Sequence, residues 1–137
     1  MNIVIEISPG ELIDRMTILQ IKSARLPKGS GLADVNRQLG DLRVARARLA
    51  GFENPAVIEA ERALHAVNLK LWDAEDALRR REAMQDFGPE FIALARSIYV
   101  ANDRRSRLKQ EINEALGSPI AEWKWYASTG SKAAHEP

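Results

Sequence analysis

The sequence predicts an all-α chain in which long antiparallel helices form a three- to four-helix bundle, with one short strand at the N-terminus. Three observations predict it. Apolar residues recur at three- and four-residue spacing over most of the chain. Capping residues followed by proline, Ser8-Pro9 and Asn54-Pro55, mark helix starts. Glycines at Gly29, Gly31, Gly51, Gly88 and Gly117 punctuate the periodic stretches.

Each element follows in order. Ile3, Ile5 and Ile7 alternate with Asn2, Val4 and Glu6, the pattern of a short strand over residues 1–7. Ser8-Pro9-Gly10-Glu11 then combines an N-cap, a proline at the first helical position and an acid three residues on. The first helix should run to about Leu26, with Leu12, Met16 and Leu19 on one face and Ile13 beside them. A second helix over about 33–50 carries Leu32, Val35, Leu39, Leu42 and Leu49, a narrow seam broken only by Arg46. A third runs from Pro55 to about Gln85, about 45 Å at 1.5 Å per residue. Its stripe is Val57, Leu64, Val67, Leu71 and Leu78. Asp86-Phe87-Gly88-Pro89 turns the chain into a fourth helix, whose stripe is Phe91, Ala95, Ile98, Leu108 and Ile112. The turn near Phe52 should set Val35 opposite Lys70, and the turn near Gly88 should set Glu75 opposite Tyr99 and Asn102. A broken long helix against two long ones is the first expectation, and an up-down-up-down bundle the second.

Length and composition bound the function. A chain of 137 residues, 45% hydrophobic and 28% charged, reads as one helical domain over 1–127 with a disordered tail at 128–137. A net charge of +1 argues against strong steering to nucleic acid or anionic lipid. The runs Arg79-Arg80-Arg81 and Arg104-Arg105 are interleaved with acids and read as solvated faces. Without cysteine there is no thiolate metal site, no disulfide and no cysteine nucleophile. His65 and His135 alone make no zinc site, and neither a phosphate-binding glycine loop nor a nucleophile elbow is present. No membrane span and no signal peptide are legible, so a cytoplasmic protein without a cofactor is the expectation.

The feature that invites function is Leu71-Trp72-Asp73-Ala74-Glu75-Asp76-Ala77-Leu78-Arg79-Arg80-Arg81-Glu82, where charge falls on a stripe that should stay apolar. Charges at core-facing positions need partners. Asn68, Trp72, Glu75, Asp76 and Arg79 share one face of the third helix, and Tyr99, Asn102, Arg105 and Lys109 share one of the fourth. The bland reading is a network of interhelical ion pairs. The functional one is a pocket for a small anionic ligand, with Arg15, Arg79, Arg105 and Lys109 on the anion, Asn102 orienting it and Trp72 as a flat wall. A divalent-metal-dependent hydrolase of nucleotides or other phosphorylated molecules is the enzymatic alternative, with Glu75 and Asp76 on the metal. A chorismate-mutase-like anion site from Arg15, Lys22, Arg105 and Lys109 is a weaker third. The lone strand needs a partner for its backbone groups, and Trp123-Lys124-Trp125-Tyr126 is the segment that offers one, within the chain or across a homodimer.

Three blocks carry a resemblance: Ile7-Ser8-Pro9-Gly10-Glu11-Leu12-Ile13-Asp14-Arg15, Leu71-Trp72-Asp73-Ala74-Glu75-Asp76, and residues 91–113 with Leu94-Ala95-Arg96-Ser97-Ile98-Tyr99 and Asn102-Asp103-Arg104-Arg105. Together they resemble a bacterial family of small helical domains of unknown function, over roughly residues 3–126. Gly31, where the family pattern suggests a basic residue, and Trp125 depart from it. Some members of that family occur in glycosyltransferase-containing proteins, so the resemblance implies a role near surface-polysaccharide synthesis. The expectation is a non-catalytic binding or adaptor module without a metal, acting as a homodimer or through a protein partner.

Overall fold

The computed structural model describes residues 1–124, and in them the chain is all-helical. Four helices follow one another: α1 (Pro9–Arg25), α2 (Leu32–Ala47), α3 (Pro55–Ala83) and α4 (Pro89–Ala115). Their starts are those the caps dictate. Ser8 Oγ accepts from Glu11 N–H at 3.1 Å, and Asn54 Oδ1 accepts from Ala56 N–H at 2.9 Å. Gly88 caps α4, and Asp86 Oδ1 accepts from its N–H at 3.1 Å. The turn between α3 and α4 starts earlier than expected, because Gln85 takes a left-handed φ of 54°. The Phe87 and Phe91 rings meet edge-on there, with centroids 5.2 Å apart.

The lateral arrangement differs from the expected one. α3 and α4 form a long antiparallel hairpin, and α1 lies against both of them at its base. α2 folds back along α1, with Ser23 Oγ donating to Asn36 Oδ1 at 2.6 Å. Its backbone does not come against α3, so Val35 does not face Lys70. Arg46, the break in the seam of α2, bridges that gap. It donates to both oxygens of Glu61 at 2.6 and 2.7 Å, with its guanidinium 5.3 Å from the centre of the Phe52 ring.

α1 is therefore the central helix. Leu12, Ile13, Asp14, Met16 and Thr17 are all buried, which is burial around most of its circumference rather than along one stripe. With Leu39, Phe52, Val57, Ala60, Leu64, Leu108 and Ile112 they close a single core. Every buried residue of α3 lies at or before Asn68, and every one of α4 at or after Leu108. In the distal part of the hairpin, residues 69–107, no residue is fully buried, and Leu71, Trp72, Leu78, Phe91 and Ile98 are half-buried.

The N-terminal strand is not formed. Residues 1–7 take no regular structure, and Ile3, Val4 and Ile5 stand exposed. A single extended segment has no ladder to join when no other strand exists among the described residues. Trp125 and Tyr126, half of its expected partner, lie outside the described residues, as does the expected tail.

Candidate functional site

Polar groups converge where α1 crosses the base of the hairpin. Asp14 is 1% exposed, and its carboxylate accepts from Arg105 through both Nε, at 2.9 Å, and a terminal nitrogen. Asn68 Nδ2 adds a third donor at 2.8 Å and also reaches Thr17 Oγ1 at 2.8 Å. Thr17 Oγ1 in turn donates a hydrogen bond to the Asp14 backbone carbonyl at 2.8 Å. The layer thus joins three helices through a two-pronged guanidinium–carboxylate pair, the strongest form such a pair takes. Asp14 holds the Arg105 guanidinium above its ordinary pKa, outweighing the burial that opposes it.

A second cluster sits one turn away. Lys109 Nζ lies 2.8 Å from Glu11 and 2.9 Å from Glu122. Burial pushes the Lys109 ammonium down, and hydrogen bonds and charge from the two acids more than reverse it, so its pKa is raised. Burial likewise pushes the Glu11 carboxyl up, but Lys109 and Arg15 together hold it below the usual range. Glu11 stands where a capping-box acid would turn back to Ser8, yet it reaches Arg15 at 2.7 Å and Lys109 instead.

The close approach that makes both clusters possible depends on Gly10. A Cβ there would lie 2.3 Å from the Lys109 carbonyl oxygen and 2.8 Å from Asn113 Oδ1. Gly10 N–H instead donates to Asn113 Oδ1 at 2.8 Å, which satisfies a donor of the first turn of α1. Asn113 Nδ2 is left buried without a partner, a cost of about 1–3 kcal/mol. An asparagine oxygen accepts that N–H without adding a buried charge.

Of the α3 and α4 residues singled out from sequence, these clusters gather Asn68, Arg105 and Lys109. The acids that pair with Arg105 and Lys109 come from α1 and from Glu122, not from α3. Arg15 is exposed and pairs with Glu11. Glu75 and Arg79 form a pair along α3 at 3.7 Å, with Arg79 79% exposed. Asp76 and Tyr99 are exposed, and Trp72 and Asn102 are half-buried. Among the described residues no group of three or more histidines or acids is placed to hold a metal ion. Sequence reasoning missed Asp14, Thr17, Glu122 and Asn113. The signal available was Asp14 and Thr17 interleaved with Leu12, Ile13 and Met16, which only a helix covered on several sides would bury.

The surface of the described residues also carries shallow clefts. One, of about 610 Å³, lies along the distal hairpin between Ala77, Arg80 and Met84 of α3 and Ala93 and Ser97 of α4. Another, of about 470 Å³, lies between α1 and α2 beside Arg43, Arg46 and Phe52. No helix among the described residues is long and apolar enough to cross a membrane. Comparison with family models, curated proteins and solved structures returns no match for the chain.

Proposed function

We propose that the chain is a non-catalytic protein-binding module, anchored by its base and docking through the distal α3–α4 hairpin. One observation carries this reading. No residue of 69–107 is fully buried, and Met84, Phe87, Ile92, Tyr99 and Val100 of that hairpin stay exposed. A two-helix hairpin with no fully buried residue has little stability of its own, and the apolar side chains it leaves exposed suit a partner's surface. The base supports the same reading by elimination. Arg105 and Lys109, which an anionic ligand would need, already hold Asp14, Glu11 and Glu122. An incoming anion would have to displace them. The resemblance of the sequence blocks adds a context, a module working beside a glycosyltransferase.

A photoreactive amino acid placed at Val100 and, as a control, at Val44 on α2 tests it in cells. Both positions are exposed, at 58% and 53%. The module reading expects discrete adducts from Val100 and none from Val44. No adduct from Val100, or the same adducts from both, would overturn it.

A further inference from the structure

The outer edge of α4 carries Ile92, Arg96, Tyr99 and Asp103 at spacings of four, three and four, with Val100 beside them. This is the spacing of a seam that meets another helix. Ile92, Tyr99 and Val100 are 55%, 44% and 58% exposed, so no described part of the chain covers it. Trp123, 73% exposed, follows the same region, because Lys124 next to it pairs with Asp103 at 2.6 Å.

The charges choose the occupant. Arg96 and Asp103 stand three residues either side of the Tyr99-Val100 centre and carry opposite signs. If a second α4 lies antiparallel across a two-fold axis at that centre, each Arg96 meets the other Asp103. Tyr99 of each copy then packs across from Val100 of the other. A parallel copy would instead set Arg96 against Arg96 and Asp103 against Asp103. Arg96 is exposed and forms no ion pair among the described residues, so its charge is available. An apolar, aromatic centre with a charged rim is how interfaces are built, and self-complementarity is what a two-fold dimer requires.

Resting on the hairpin as the docking surface, we propose that its partner is a second copy of this chain, joined through antiparallel α4 edges centred on Tyr99 and Val100. Asp103, already beside Lys124, then sits between two cations, one from each copy. The interface is isologous, so every contact in it occurs twice.

Sedimentation equilibrium over a micromolar to millimolar range, with charge-swapped variants, tests the proposal. The wild-type chain should reach twice its 15.3 kDa mass. Arg96→Asp alone places acid against acid at both ends, and Asp103→Arg alone places base against base. Each should weaken dimerisation at least about tenfold. Mixing the two variants restores an opposite pair at both ends, so a one-to-one heterodimer should return near wild-type affinity. That recovery also shows that both variants are folded. A wild-type chain that stays monomeric, single swaps without effect, or a mixture that fails to associate would each overturn the proposal. The docking reading fails separately, on the Val100 cross-link. An adduct of twice the chain mass there supports the second copy, whereas adducts of other masses keep the module and replace the partner.

Discussion

The two ends of the α3–α4 hairpin are built from the same pair of helices, and they do different work. At the base, Val57, Ala60, Leu64, Leu108 and Ile112 are buried under α1, and the ionised groups there meet donors from three helices. At the distal end the ion pairs are largely open to solvent, along α3 between Glu75 and Arg79 and across the turn from Arg81 to Asp86 and Glu90. An ion pair's contribution follows its cover. A carboxylate buried with its partners costs several kcal/mol to orphan, whereas an exposed pair contributes about 0–1 kcal/mol. The charged segment of α3 that first suggests a site lies at the end where charge is cheapest to place.

Paired substitutions break or sustain that contrast. Asp14→Ala leaves Arg105 and Asn68 without their shared carboxylate and should cost about 3–5 kcal/mol in urea unfolding. Asp76→Ala, at an exposed position, should stay within about 0.5 kcal/mol of wild type. Equal losses for the two would mean that the layer contributes no more than a surface charge does.

A glycine pair sharpens the same comparison between covered and open positions. Gly10→Ala drives a methyl into the Lys109 carbonyl, which belongs to backbone and cannot rotate aside. α1 must then move off α4, at about 1–3 kcal/mol. Gly40, inside α2, has nothing within 4 Å of an added Cβ. Gly40→Ala should therefore stabilise by about 0.5–1 kcal/mol, the helix-propensity gain. The opposite signs are the prediction, and thermal melts of the two variants read them directly. A stabilising Gly10→Ala would show that α1 does not approach α4 so closely.

What the sequence made legible follows from locality. Ser8-Pro9 and Asn54-Pro55 begin helices because the capping side chain and the proline act within one turn. The seam of Leu39 and Leu42 faces the core for the same local reason. Lateral neighbours are not local. Pairing α2 with α3 follows the habit of consecutive elements to lie side by side, but here α1 fills that place against the hairpin. Arg105 and Lys109 were legible as charges needing partners, while the partners came from a helix nearly a hundred residues away in sequence, through Asp14 and Glu11. Asp14 was hidden because a single-stripe reading of α1 puts it off the core face. The strand failed because alternation specifies a face but not the neighbour that a ladder requires.

The smallest effect separates the base from the rest of the chain by pH. Glu11 has its pKa lowered in the folded state, so below its ordinary value the unfolded chain binds the proton first. Its contribution is present above that value and is lost as pH falls through the folded pKa. Lys109 has its pKa raised, so its contribution is complete below the ordinary lysine value and is lost as pH rises through the folded one. Stability should then form a plateau with an acid limb and an alkaline limb. Glu11→Gln removes its own proton linkage from the acid limb and weakens the hold on Lys109, which makes the alkaline limb shallower too. The side chain of Glu11 is 28% exposed, so solvent screens part of the pair and the change stays below that of Asp14→Ala. Urea midpoints of wild type and Glu11→Gln, measured from acid to alkaline pH, read both limbs. Curves that differ by a constant offset at every pH would show that Glu11 contributes packing alone, with its charge idle.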